Sequence, residues 1–487
     1  MKTRSKAVAL IGSVSLASAF AFVKLDAPLD TSSETAPQRV ETAPHGGSSS
    51  ILPVFMIDVG GTEVTQKSRV QGTLTVIEDH DGTLKDLSTR AVTTQSAIGI
   101  EIRGATSVVL PKKSYDIELQ NDQGGDRKLP LVGLPSDSDW ALHGCGNDGT
   151  CLRNALAYAL GRELGRYAPR TRFIELFLDG RYRGVYLLVE RIRRDNHRVD
   201  LPKPADEASK GDITGGYIFK LDLAEGGPGD RVLRDWVSSV SQLVYSYHYP
   251  RFDQITPAQK AYLHNHVAAF ETLMMSSRWN DPQRGYRAWI DVPSWVDFAL
   301  IQELSNNLDA YLKSHYFQKW PESRGNKLAL GPLWDFDNAF GGTAVRDGRR
   351  TDVWAHRMNR FGGEDVPYSP PGKVPFVSSY WERLWTDPGF HVDLRCRWQT
   401  LRGGPLRLQN MEAMIDGWAA SLALAQPRDA EAWGKPADYR QQVAELKAWL
   451  SERLMWMDAN LPGTCSAGAR TSGGSAFGGT RATGDNP

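Results

Sequence analysis

The 487-residue chain predicts an α+β fold, with a β-rich first half and a mainly helical second half interrupted by one strand hairpin. Three patterns carry that expectation. Period-two and short apolar runs between turn residues fill the region up to about residue 220; 3.6-residue periodicity dominates from about 257 onward; and one turn-linked strand pair lies between residues 314 and 336.

In chain order, "ILPVFMIDV", "VQGTLTVIE", "IGIEIRG" and "SYDIELQ" read as strands. A helix starts after Thr150, where Leu152, Ala155, Leu156, Ala159, Leu160 and Leu164 recur at helical spacing. The hairpin "RFIELFL-DG-RYRGVYLLVERI" follows, with Asp179-Gly180 as its two-residue turn. On its second strand Tyr182, Gly184, Tyr186, Leu188 and Glu190 share a face. Helical spacing then returns in "TPAQKAYLHNHVAAFETLMM", "PSWVDFALIQELSNNL", around "FVSSYWERLW", and in "DYRQQVAELKAWLSERLMWMDANL". Between them, "SHYFQKW" and "NKLALGPLWDF" pair across the turn "PESRG". A β-rich lobe over residues 51–220 and a helical lobe over 221–462 leave a cleft suited to a ligand.

The ends read differently. "MKTRSK" and the apolar "AVALIGSVSLASAFAFV" form an export signal over residues 1–21, cleaved after Ala19 or Ala21, the alternative being an uncleaved anchor. After cleavage no membrane span is expected. Residues 22–50 are rich in Pro, Ser and Thr, and 463–487 in Gly and Ser, so a disordered linker and tail are expected. Export implies a secreted, periplasmic or cell-surface location. Four cysteines in an oxidising compartment permit three connectivities, of which Cys145–Cys151 with Cys396–Cys465 is the economical one. No spacing suggests zinc. Fifty-seven basic against 57 acidic residues give no footprint for nucleic acid.

The segment "GPLWDFDNAFGG", residues 331–342, sets Asp335 and Asp337 at strand spacing, so both carboxylates are expected on one face. Two like charges on an apolar strand are costly without a cation. Asp309, in "ELSNNLDAYLKS", precedes the first strand of the hairpin, and Asp335 and Asp337 end the second, so antiparallel pairing brings Asp309 near Asp335. One loop carboxylate, a hairpin and a second carboxylate is the layout of a protein-kinase catalytic loop and metal-binding segment. Taken alone, each Asp also fits turn capping.

The blocks "IEIRGATS…PKKSYDIEL", "LPSDSDWALHG", "LRNALAYALGRELGRYAPRTRFIELFLDGRYRGVYLLVERI", "GGYIFKLD", "NNLDAYLKSHYF" and "GPLWDFDNAFG" resemble, in order, the CotH kinase family of spore-coat-protein-H-like atypical kinases. The resemblance spans about residues 51–345. It implies a divergent, two-lobed protein-kinase-like fold in an exported protein that transfers the γ-phosphate of ATP to Ser or Thr of secreted or surface protein substrates, with Mg2+ or Mn2+. Carried over block by block, it implies Asp309 as catalytic residue and Asp335 and Asp337 as metal ligands. Lys113 of "PKKSY" falls on the nucleotide phosphates; it is expected to point inward with Tyr115 and Ile117, and Lys112 outward. Arg103 is kept from the family's "RGNSS", here "RGATS", and Arg153 from its "RN"; Arg153 reaches a phosphate or caps neighbouring loops. Glu190 pairs with Lys113, lines the adenine pocket or ends a surface strand. Tyr186 and Trp334 stand as aromatic walls for adenine or as core residues. The chain departs from ordinary kinases in lacking GxGxxG and in having Ser314 and His315 where an Asn would serve as second metal ligand. His315 is expected to pack rather than to ligate. The alternative function is a non-catalytic surface or coat-assembly protein with the same fold. A carbohydrate-acting protein is disfavoured, because nothing positions Lys113 for sugar chemistry.

Overall fold

The computed structural model describes residues 49–78, 85–86, 91–104, 107–205, 211–222, 235–360, 377–434 and 438–466. The expected export signal, nearly all of the linker, and the tail from residue 467 lie outside the described residues. So do short stretches of both expected lobes. The architecture is mixed α+β, β-rich toward the N-terminus and helical toward the C-terminus.

Seven strands close into a barrel: β1 (Val54–Asp58), β2 (Val70–Ile77), β3 (Val92–Arg103), β4 (Ser114–Gln120), β5 (Asp139–His143), β6 (Thr171–Leu178) and β7 (Arg181–Glu190). Its order is β6-β7-β5-β4-β3-β2-β1, and the ring closes where β6 runs parallel to β1, Glu175 opposite Val54. Closure leaves no unpaired edge among these strands. The predicted Asp179-Gly180 turn joins β6 to β7; both residues have positive φ, as a type I′ turn needs.

Period-two alternation sorts the strand side chains. Phe55, Leu74, Ile98, Ile100, Ile117, Trp140, Leu142, Tyr186 and Leu188 fill the barrel interior. Val185, Leu187 and Val189 point the other way, against helix α1 (Arg153–Glu163) and the main helical core.

A second sheet has the order β9 (Asp235–Val237), β10 (Val244–Tyr249), β8 (Tyr217–Leu221), β11 (His315–Lys319) and β12 (Leu328–Leu330). The predicted hairpin is its β11–β12 edge, with Phe317 opposite Leu330. The expected lobe boundary at 220 falls inside β8, and β9 and β10 lie within the half expected to be mainly helical. Aromatic packing explains them: Phe219 stacks on Phe317 at 5.0 Å, and Trp236 on Tyr245 at 5.2 Å.

The helices are α2 (Pro257–Met275), α3 (Val292–Ser305), α4 (Ser379–Leu384), α5 (Pro388–Arg402), α6 (Leu408–Leu422), α7 (Ala425–Trp433) and α8 (Tyr439–Asn460). Thr256 and Gln259 form a reciprocal capping box at the start of α2. Helix α3 is buried along almost its whole length, as its apolar composition predicts. No helix among the described residues is long and apolar enough to cross a membrane. Disulfides join Cys145 to Cys151 and Cys396 to Cys465, as expected. The second ties residue 465, just past the expected tail boundary at 463, to α5.

Candidate functional site

Strand β12 ends at Leu330, and the chain leaves the sheet at Gly331. Asp335 and Asp337 are therefore not on a strand, which corrects the strand-spacing argument; Asp335 adopts φ 67°, a left-handed conformation that Asp tolerates better than most residues. Both carboxylates nevertheless line one cavity of about 450 Å³.

Helix α1 holds that loop in place. Asn154 Oδ1 accepts the Phe336 N–H at 2.7 Å, and the Tyr158 hydroxyl accepts the Asp335 N–H at 3.1 Å. Residues 154 and 158 share a helix face at i, i+4 spacing. Arg153 Nε donates to the Ala339 carbonyl at 3.0 Å, and its guanidinium pairs with Asp148 in the loop bracketed by the Cys145–Cys151 disulfide. Arg153 thus clamps backbone, and it faces a separate cavity of about 1000 Å³. From the far side, the Phe340 N–H donates to the Ser305 carbonyl at 2.7 Å, tying the loop to the end of α3.

The Asp309 turn begins where Asn306, at φ 43°, ends α3. The Asp309 N–H donates to Asn307 Oδ1 at 3.2 Å. Its carboxylate forms an ion pair with Lys313 Nζ at 2.9 Å. Lys313 lines the cavity with Asp335 and Asp337, whereas Asp309 is not part of the lining and meets it through that ammonium.

The electrostatics follow. Burial, then the charges of Asp335 and Asp309, push the Asp337 carboxyl well above the usual carboxylate range. Burial alone would lower Lys313, but Asp309, Asp335 and Asp337 outweigh it and raise its pKa. His143, at the end of β5, meets Asn154 Nδ2 at 3.2 Å; burial pulls its imidazole down to about 4 despite the nearby Asp335.

The same cavity lining carries an arginine pair on Asp116: Arg103 at 3.1 Å and Arg191 at 3.0 Å. The Arg103 guanidinium lies 5.2 Å from the centre of the Trp334 ring, which stacks on Tyr158. Arg103 and Trp334, both predicted site residues, therefore reach the cavity.

Four others do not: Arg153 faces the separate cavity already described, and Lys113, Tyr186 and Glu190 lie elsewhere. Lys113 folds back to donate to the Val108 carbonyl at 2.6 Å and is not among the cavity lining. Lys112, expected to face out, is buried: it pairs with Asp429 of α7 and donates to the Val185 carbonyl at 2.6 Å. The expectation fails because β4 starts only at Ser114, so its pleat does not set the direction of either lysine. Tyr186 is wholly buried in the barrel, its hydroxyl on the Lys113 carbonyl, and offers adenine no face. Glu190 is also fully buried, paired with Arg170 at 2.8 Å and receiving the Arg170 N–H at 2.9 Å, rather than with Lys113. Interior-facing parity on β7 explains Tyr186, and the arginines from neighbouring loops explain Glu190.

His315 packs as expected, stacked between Phe298 at 4.5 Å and Phe317 at 4.6 Å. Sequence reasoning missed Lys313, Tyr158, His143 and Arg191. Lys313 carried a signal, four residues after Asp309 in an otherwise apolar run; Tyr158 carried one too, one turn after Asn154.

Asp335 and Asp337 offer hard oxygen donors, and no Cys or Met is among the described residues that line the cavity, a donor set that would suit Mg2+ or Mn2+. Among the described residues no three His, Cys, Asp or Glu side chains form a ready-made cage. A cation would thus be held by Asp335 and Asp337 and completed by ligand oxygens and water, the usual magnesium arrangement.

Acidic residues and arginines lining one polar cavity on an α+β scaffold suit a kinase-like protein, and comparison with known proteins gives the family. A family model described as CotH kinase protein matches residues 100–457, well over half of the chain. The chain belongs to the CotH kinase family. None of the curated proteins compared with it matches. Among solved structures, the crystal structure of a Helicobacter pylori proinflammatory kinase, CtkA, is similar at 10% identity and a TM-score of 0.31, covering 71% of this chain and 93% of that one.

Proposed function

We propose that the chain is an exported, metal-dependent protein kinase that uses ATP to phosphorylate Ser or Thr of secreted or surface proteins. The observation that carries this reading is the meeting of Asp335, Asp337 and Lys313, itself paired with Asp309, at one cavity that Arg103 and Arg191 also line. The two disulfides agree with export. In this reading the barrel and the helical half act as the two lobes of a kinase-like fold.

Asp335 and Asp337 would hold Mg2+ or Mn2+, whose positive charge would offset the negative charge of the phosphate groups. Arg103 and Arg191 balance the remaining phosphate charge, and Trp334 offers the nucleotide an aromatic edge. Asp309 accepts the proton of the acceptor hydroxyl; that oxygen bonds to the γ-phosphorus while the bond to the ADP oxygen breaks, and ADP leaves. Tyr158 and Asn154 keep the Asp335 loop fixed during the step.

Incubating the mature chain with labelled ATP, Mn2+ and a Ser/Thr-rich protein acceptor tests the reading, with Asp309→Ala and Asp335→Ala beside it. Asp309→Ala keeps Mn2+-dependent ATP binding and loses transfer; Asp335→Ala loses both. Equal ATP binding by Asp335→Ala and wild type sets the metal assignment aside. One observation favours a second reading, a non-catalytic assembly protein: Lys113 does not reach the cavity. Undetectable ATP binding by the wild type selects that alternative.

A further inference from the structure

We propose that Lys313 is the second cation of the site, so that a nucleotide binds here with one divalent ion instead of two. The inference rests on the ATP-dependent reading above. A two-ion site needs a further ligand after the catalytic Asp. Here that stretch offers Lys313, Ser314 and His315, and His315 is removed by its stack between Phe298 and Phe317. Both its ring nitrogens are buried without a partner among the described residues.

What the turn supplies instead is an ammonium. The backbone N–H groups of Leu312 and Lys313 both return to the Asp309 carbonyl, at 3.0 and 3.1 Å, curling the turn so that Lys313 Nζ reaches the Asp309 carboxylate. That side chain is mostly buried and belongs to the same cavity lining as Asp335 and Asp337. A lysine fixed there neutralises the carboxylates on the Asp309 side and repels a second divalent ion at short range. It is also a point charge able to follow a phosphate as the phosphate moves.

The test is Mn2+ stoichiometry, which does not depend on turnover. The full mature chain is titrated with Mn2+ at saturating AMP-PNP, and bound ion is counted by electron paramagnetic resonance. Wild type and Lys313→Arg bind one Mn2+ per chain, and Lys313→Asn binds two. In phosphoryl transfer Lys313→Asn falls about 100-fold, the scale for losing one preorganised electrostatic contact, and recovers in part as Mn2+ is raised. Lys313→Met falls equally and does not recover. Thermal melting of all three variants within a few degrees of wild type keeps the comparison one of charge. Two Mn2+ on the wild type, or one on Lys313→Asn with unchanged rate, overturns the proposal while leaving the kinase reading intact. A wild type that binds no AMP-PNP overturns both.

Discussion

Asn154 Oδ1 accepts the Phe336 N–H at 2.7 Å, joining the first turn of α1 to the backbone between Asp335 and Asp337. The same amide meets His143 Nε2 at 3.2 Å, so one buried side chain fixes a strand end, a helix start and the acidic loop. Replacing it with Ala leaves a buried N–H unpaired, a loss of about 1–3 kcal/mol. Asn154→Ala is expected to lower the urea midpoint accordingly and to weaken Mn2+–ATP binding about tenfold. Asn154→Asp keeps the acceptor and should retain more stability at neutral pH. A denaturation midpoint and nucleotide affinity both unchanged in Asn154→Ala would mean the loop is held by other contacts.

The two adjacent lysines should separate sharply. Lys112 is buried against Asp429, between the Val185 carbonyl and the face of Tyr186, 5.0 Å from its ring centre. Lys112→Met strands a buried carboxylate and should cost about 3–5 kcal/mol. Lys113→Met removes one bond to a partly exposed carbonyl and should cost about 1 kcal/mol or less. Urea unfolding of the two variants decides the point. Equal losses would show that Lys112 is not the structural partner.

His315 should govern part of the acid sensitivity. Burial among aromatic rings holds its imidazole neutral, with a pKa depressed to about 3. Its unfolded value is near 6.5, so between about pH 6.5 and pH 3 the unfolded chain binds the extra proton. Stability is therefore full above pH 6.5 and falls as pH drops through that window. His315→Phe removes two unpaired ring nitrogens and should gain about 1–2 kcal/mol at pH 7. By linkage the gap should widen by about 2 kcal/mol at pH 5. The other depressed histidines, His143, His248, His264, His266 and His356, act equally in both proteins, so the difference isolates His315. A gap that does not change with pH counts against this account.

The two disulfides should contribute unequally. Cys145–Cys151 closes a separation of 6 residues and Cys396–Cys465 one of 69. On chain entropy alone these are worth about 2 and about 4 kcal/mol. Peptide mapping without reductant should recover both pairs. Paired Cys→Ser variants should melt lower than wild type, the 396/465 variant more so. The reverse order would place the dominant effect in native-state contacts.

Much of this molecule was legible in its residues. Apolar patterning identified six of the seven barrel strands, all but β5, together with the Asp179-Gly180 hairpin, and period 3.6 identified α1, α2, α3 and α8, because those patterns follow directly from backbone geometry. The order of motif blocks pointed to the CotH kinase family. The sequence also singled out Asp309, Asp335 and Asp337, because carboxylates beside apolar hairpin strands are costly unless something answers their charge.

Only the tertiary structure decided which side chains share the cavity. Strand parity gives two faces but does not say which is the barrel interior, so Tyr186 stays open between an adenine wall and the core until folding places it in the core. Glu190 found Arg170, and Lys112 found Asp429, partners brought near by folding alone. The converse holds for Lys313, whose value depends on a turn that curls it back onto Asp309 and on a loop, pinned by α1, that sets Asp335 and Asp337 beside it. Local pattern fixes direction along an element. Charge finds its partner only when distant elements pack, since electrostatic and hydrogen-bond energies depend on separations that spacing along the chain does not encode.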